Sequence, residues 1–171
     1  MDIDDESLRD TIETGSDELL SDDSLRLPDD ANALVRLHAM RAWLKRRQKE
    51  STLEMGEAAL ALQQLQYEDS EAPRMRRRER EELLQRVQQV QDSLQRAQAH
   101  LNAYEEAEAM LEDCVNHLTV GERLLVEYYL ILEDTVQTSI EEDQESASSP
   151  RIEALLDVLQ RVERIGSPQD D

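Results

Sequence analysis

From about residue 30 onward, apolar side chains recur at steps of three and four, the spacing that gathers them on one face of a helix. Over about 30–67 that face is held by Leu34, Leu37, Leu44, Met55, Ala58, Leu62 and Leu65. Arg41, Gln48 and Ser51 interrupt it midway, and Gly56 adds a position about 1 kcal/mol less favourable to helix than alanine. A bend or looser packing near 48–56 is therefore expected. Asp29 or Asp30 stands where a cap is due.

The strongest repeat follows a turn read at Glu68–Pro73, in a second helix over about 74–118. Leu83, Val90, Ala97, Tyr104, Leu111 and Leu118 take one seam position, and Val87, Leu94, Leu101 and Val115 take the other. Glu108 stands where the second series calls for an apolar residue. This 4-3 spacing, held over about five heptads, argues for a coiled-coil seam rather than an ordinary surface helix. An acid in a seam either fixes register and partner choice or turns out to solvent at a helix crossing.

Thr119-Val-Gly-Glu122 has the form of a capping box and restarts the chain as a third helix over about 120–142. Leu124, Leu125, Val126, Tyr128, Tyr129, Leu130, Ile131, Leu132 and Val136 wrap most of its circumference. A helix apolar nearly all round is expected to be buried nearly all round. After a polar linker at 143–149, Ser149 as cap, Pro150 at the first position and Gly166 past the end frame a helix over 150–166. Its stripe is Ile152, Leu155, Leu156, Leu159, Val162 and Ile165, which either docks back on the third helix or faces a partner.

The pattern thus predicts an all-α protein: a long helical hairpin or coiled coil over 30–142, shorter C-terminal helices, and ends at 1–29 and 167–171 outside the fold. Composition supports that reading. Among 171 residues there is one Trp and no Phe, and a compact globule leans on such side chains to fill its centre. Residues 1–30 hold twelve acids against Arg9 and Arg26, a balance that predicts a disordered acidic tail. Its scattered leucines around Asp17–Leu27 also suit a segment that folds on a partner.

Charge narrows the partners. Forty acidic against nineteen basic residues give a net charge of -21, which repels nucleic acid and anionic membrane and favours basic partners. Two basic clusters stand out: Arg41, Lys45, Arg46, Arg47 and Lys49 beside Trp43, and Arg74, Arg76, Arg77, Arg78 and Arg80 at the start of the second helix. The latter opposes the helix dipole, so something is expected to offset it. The longest apolar run, Leu124–Leu132, carries Glu127 and is too short to span a bilayer. Met1–Asp30 has no apolar stretch of the signal-peptide kind, and lone Cys114 forms no internal disulfide. A cytoplasmic protein is the expectation, with the nucleus as alternative.

No phosphate-binding glycine loop, nucleophile elbow or zinc-protease motif is present. Cys114 and His117 share a helix face beside Asp113, but no second thiol pair completes a zinc set; His38 and His100 stand apart from any recognisable nucleophile. The sequence therefore predicts no catalytic, cofactor or metal site. Its candidate partner-binding residues are Leu124, Leu125, Tyr128, Tyr129, Leu132 and Val136 with Ile152, Leu155, Leu159 and Val162. The expected function is that of a non-catalytic structural or adaptor subunit binding proteins through coiled coil, by self-association or with another chain. The alternative is a nuclear or chromatin-associated regulator whose acidic tail engages basic partners.

Overall fold

The structure, a computed structural model, describes residues 32–71 and 75–166. Segments 1–29 and 167–171, both candidate caps Asp29 and Asp30, and Arg74 lie outside them. The described residues form four helices: α1 (Ala33–Glu71), α2 (Arg77–His117), α3 (Glu122–Glu141) and α4 (Pro150–Gly166). No strand occurs among the described residues, and the fold is all-α.

Helix ends follow local chemistry, with three differences from the sequence reading. The cap of α1 is Asn32, whose Oδ1 accepts the Val35 N–H at 2.9 Å. The cap of α3 is Gly121 in extended conformation, with no side-chain cap bond; Thr119 lies two residues too early to reach the first turn. At α4 the expectation holds: the Ser149 hydroxyl accepts the Ile152 N–H at 3.3 Å, one residue before Pro150. In α1 the helix continues unbroken through 48–56 and on to Glu71, so residues 68–71 are helix rather than turn.

α1 and α2 run antiparallel. As α1 advances through Arg41, Lys45 and Glu68, its ion-pair partners on α2 retreat through Glu112, Glu108 and Arg86. One series of buried positions on α1 repeats every seven residues, at Leu37, Leu44, Ser51, Ala58 and Leu65, with Met40 and Trp43 buried beside it, while Leu34 of the expected face is exposed. On α2, Leu83, Ala97, Tyr104 and Leu111 are buried; Val87, Val90, Leu94, Leu101 and Val115 are half-buried. Leu118 lies past the end of α2 and is exposed.

The continuous core lies at one end of this hairpin. It takes Leu37, Met40, Trp43 and Leu44 from α1 and Ala103 to Cys114 from α2, and closes on α3 and α4. Beyond Leu44 on α1, and before Ala103 on α2, neither helix contributes to it. There the burial along Ala58, Leu65, Leu83 and Ala97 comes from the hairpin itself. The result is a four-helix head and a two-helix arm, the arm reaching roughly 40 Å at 1.5 Å of rise per residue.

α3 does not meet its expectation. Leu124, Leu125, Tyr128, Leu132 and Val136 face the core, but Val126, Leu130 and Ile131 point outward at 56%, 50% and 43% exposure. One helix neighbour on each side covers half a circumference, and α4 brings a single stripe. The apolar surplus of α3 therefore stays uncovered.

Candidate functional site

Most of the residues expected to meet a partner are instead the head's own interior. Leu124, Leu125, Tyr128, Leu132 and Val136 pack against Ile152, Leu155, Leu159 and Val162, all buried in one cluster, with Tyr129 half-buried at its edge. Of the two fates open to the α4 stripe, docking back on the chain is the one realised. As a surface for another molecule these side chains are closed in this fold. The Tyr128 hydroxyl donates to the Ala107 carbonyl at 2.7 Å, tying α3 to α2. Burial pushes its ionisation well above the usual tyrosine range, so it remains a donor.

The polar interruptions of α1 and α2 meet each other. Arg41 donates twice to Glu112, at 2.7 and 2.9 Å, a fork geometry that adds orientation to charge. One turn along, Glu108 accepts from the Gln48 amide at 2.6 Å and pairs with the Lys45 ammonium at 2.7 Å. Burial alone would raise the Glu108 pKa, but the bonds from Gln48 and Lys45, with the field of Lys45 and Arg41, hold it below its ordinary value. Glu108 therefore pairs across the hairpin rather than turning out to solvent. Arg41, Lys45 and Gln48 of α1 thus bind Glu112 and Glu108 of α2 across the hairpin.

That depressed pKa has a consequence for stability. Glu108 binds its proton more weakly folded than unfolded, so its contribution is present above about pH 4.5 and lost as the pH falls through the native value. Glu108→Gln is expected to lower stability at pH 7 by about 1 kcal/mol and to lessen the drop between pH 7 and pH 3. Urea midpoints at the two pH values measure both; an unchanged acid limb would remove Glu108 from it.

A second polar cluster joins three helices. Tyr104 donates to Asp157 at 2.8 Å, Arg47 pairs with the same carboxylate at 3.2 Å and with Glu50 at 3.0 Å, and the Arg47 guanidinium lies 5.2 Å from the Trp43 ring centre. A third sits at the α4 start. Arg151 donates twice to Glu106 on α2, at 3.0 and 2.8 Å, and also to Ser139 of α3 and Glu145 of the linker. The Arg41–Lys49 cluster is thus largely absorbed by acids of the same molecule.

The other basic cluster is not. Arg76, Arg77, Arg78 and Arg80 are exposed at the arm tip. Arg77 and Arg78 reach only Glu81 and Glu82 on their own helix, at 3.3 and 3.4 Å in full solvent, where such pairs contribute little. Part of the expected offset is local: the Glu79 carboxylate accepts the Arg76 N–H at 3.2 Å, placing an acid in the first turn.

The chemistry-bearing side chains do not converge. Cys114 is buried, with its thiol pKa raised by burial and then by Asp113 and Glu127. His117 is exposed and engages the Asp113 carbonyl of its own helix at 2.7 Å. His100 faces Glu153 at 3.4 Å, beside an open trough of about 690 Å³ between α1 and α2 lined by Ser51, Ala58, Ala97 and Tyr104 among others. Burial and the bond to Asp157 raise the Tyr104 pKa, so its hydroxyl serves as a donor and not as a base. Among the described residues no group of three His, Cys, Asp or Glu is placed to hold a metal. Nor is any helix among them long and apolar enough to cross a membrane.

Two outward apolar sets remain. On the arm, Leu53 and Leu60 stand one heptad apart on the face of α1 turned from α2, 67% and 62% exposed. On the head, Val126 and Leu130 are exposed on α3, and half-buried Tyr129 and exposed Leu156 line a shallow groove between α3 and α4. Of this second set the sequence pattern marked only Tyr129 as a partner-binding candidate. The signal was present: α3 carries more apolar residues than one face holds, and α4 has a single stripe to offer. Comparison with protein-family models, with curated proteins and with solved structures finds no match to this chain.

Proposed function

We propose that this chain is a non-catalytic structural or adaptor subunit of a multiprotein assembly, of the cytoskeletal, centrosomal, ciliary or trafficking kind. The observation that carries the reading is the arm. Two helices held together by a single narrow seam project from a well-packed head and turn leucines outward at heptad spacing. A third helix laid along Leu53 and Leu60 would bury apolar area that water now covers, at about 25 cal/mol per Å², and heptad spacing is the repeat a partner helix reads.

Leu53→Glu combined with Leu60→Glu is expected to leave helicity and thermal midpoint nearly unchanged, within about 0.5 kcal/mol, since both side chains are solvent-exposed. The same pair should abolish stable association in light scattering and remove cross-links to the arm in mass spectrometry of cross-linked cells. A wild-type chain that is monomeric and without stable cross-linked partners would sink the assembly reading.

A second reading is a nuclear or chromatin-associated regulator, favoured by the exposed arginines at the arm tip. Replacing Arg76, Arg77, Arg78 and Arg80 with glutamine and following distribution in cells separates the two. Loss of nuclear accumulation supports the regulator; an unchanged distribution weighs against it.

A further inference from the structure

We infer that the trough between α1 and α2 seats a further helix, supplied by a partner protein and carrying aliphatic side chains flanked by lysine or arginine. This rests on the assembly reading and adds to it a second surface with a named kind of occupant. The trough runs along α1 from Arg47 to Ala61, roughly 21 Å at 1.5 Å of rise per residue, and its lining residues all come from α1 and α2. α4 fills the head's end of the same interhelical groove. Its Glu153 and Asp157 reach Arg96, His100, Tyr104 and Arg47, and those four residues also line the trough. A helix is therefore the element this groove already accepts.

The floor is small-sided at this point. The seam series of α1 runs Leu37, Leu44, Ser51, Ala58, Leu65, so two small residues interrupt the leucines at the trough, and Ala61 and Ala97 add to the recess. Two helices alone would pack better with larger side chains there, whereas a recess suits side chains brought in by another helix. Ser51 points to an occupant independently. It is 4% exposed and lines the trough, yet its hydroxyl makes no hydrogen bond among the described residues. A hydroxyl buried to that degree ordinarily has a partner.

Charge selects the occupant. The lining cations are engaged within the chain: Arg47 pairs with Glu50 and Asp157, Arg96 pairs with Glu153, and His100 faces that same carboxylate. Glu54 and Glu57, which also line the trough, form no ion pair among the described residues. Nearby cations outside the lining do not answer them. Arg46 pairs with Glu50, Arg86 with Glu68, and Lys49 stands about 140° round α1 from Glu54 at 100° per residue. Two unneutralised carboxylates over a small-sided floor attract lysine or arginine and repel an acidic helix. Residues 1–30, with twelve acids against Arg9 and Arg26, bring the wrong sign, as does a second copy at net charge -21.

The test uses the full chain and a fluorescent synthetic helix of about 18 residues, with leucines at i, i+4, i+7 and i+11 and lysines and alanines elsewhere. Anisotropy at about 0.15 M salt, where distant charges are screened, is expected to show saturable binding. A matched probe with glutamates in place of the lysines should bind about tenfold less well or worse. Glu54→Lys with Glu57→Lys should weaken the lysine probe about tenfold, whereas the same charge change on the head, Glu133→Lys with Asp134→Lys, should alter it less than about twofold. Filling the trough with Ser51→Leu and Ala61→Leu should remove binding with circular dichroism unchanged. Should that chain lose helicity, the Glu54 and Glu57 substitutions decide alone. Leu53→Ser with Leu60→Ser on the outer face of α1 should leave the probe unaffected.

No saturable binding, equal binding of the glutamate probe, or equal loss from the head substitutions would overturn the inference, the last by revealing general charge attraction. Binding that survives Glu54→Lys with Glu57→Lys would overturn it too. Dissociation of a wild-type dimer by the filled trough in sedimentation equilibrium would assign the trough to a second copy and overturn it as well. So would a gain of about tenfold in probe affinity from Leu19→Ser with Leu20→Ser, which would assign the trough to the chain's own N-terminal segment. Association through Leu53 and Leu60 that persists while the probe fails leaves the assembly reading standing and removes this trough from it.

Discussion

Trp43→Ala is expected to cost about 3–5 kcal/mol, the range for emptying a buried aromatic site. Trp43 is buried where α1, α2 and α4 meet. Its ring stands edge-on to Tyr104, with centroids 6.1 Å apart and planes at 87°, and its face receives the Arg47 guanidinium. Truncation removes that aromatic contact and leaves a void beside the Tyr104–Asp157–Arg47 cluster, whose geometry depends on the wall it packs against. Against the 5–15 kcal/mol that typically separates folded from unfolded domains, such a loss brings the head close to unfolding. Urea titration followed by far-ultraviolet circular dichroism measures it; a loss under about 1 kcal/mol would show that Trp43 is not a packing centre.

The second largest effect is expected at Arg151, where Arg151→Ala should cost about 2 kcal/mol. One guanidinium there holds the start of α4 to Glu106 of α2, to Ser139 near the end of α3 and to Glu145 of the linker. Its removal leaves the Glu106 carboxylate without its cation and takes a hydrogen bond from Ser139, which is only 4% exposed. The partial exposure of Arg151 and Glu106 keeps the figure below that of a fully buried pair. Arg151→Lys should recover little, because an ammonium cannot present two parallel N–H groups to one carboxylate while reaching Ser139. A double-mutant cycle with Glu106→Gln isolates the pair, and a coupling near zero would show that the fork contributes no net stability. Hydrogen exchange in the first turn of α4 should rise with the same substitution.

These effects differ in how visible their causes are along the chain. The stripe of α4 is legible because a helix with one apolar face leaves little doubt about which face is buried, although Leu156, counted in it, is exposed. The seven-residue repeat on α2 is legible for the same reason, and its Leu83, Ala97, Tyr104 and Leu111 are buried as the repeat implies. Glu108 was visible only as a break. What it meets, Gln48 and Lys45, lies some sixty residues earlier, where the sequence shows a matching break of its own. Each interruption looks like a defect in isolation, and the two read as partners only when the helices are set side by side. α3 was the hardest case, since an all-round apolar pattern names no preferred face and the choice falls to its neighbours.

The sequence by itself determined that the chain is helical, where the helices run to within a few residues, and which residues gather into one stripe on α2 and on α4, because periodicity and end chemistry act over a few residues at a time. Only the tertiary structure decided that α1 and α2 extend beyond the core as an arm and that α3 buries one face and bares Val126 and Leu130. It also decided that Arg41, Arg47 and Arg151 are occupied at home while the arginines at 76–80 face solvent. Those outcomes depend on which surfaces meet across long stretches of chain, and burial and pairing are settled by that meeting rather than by any local pattern.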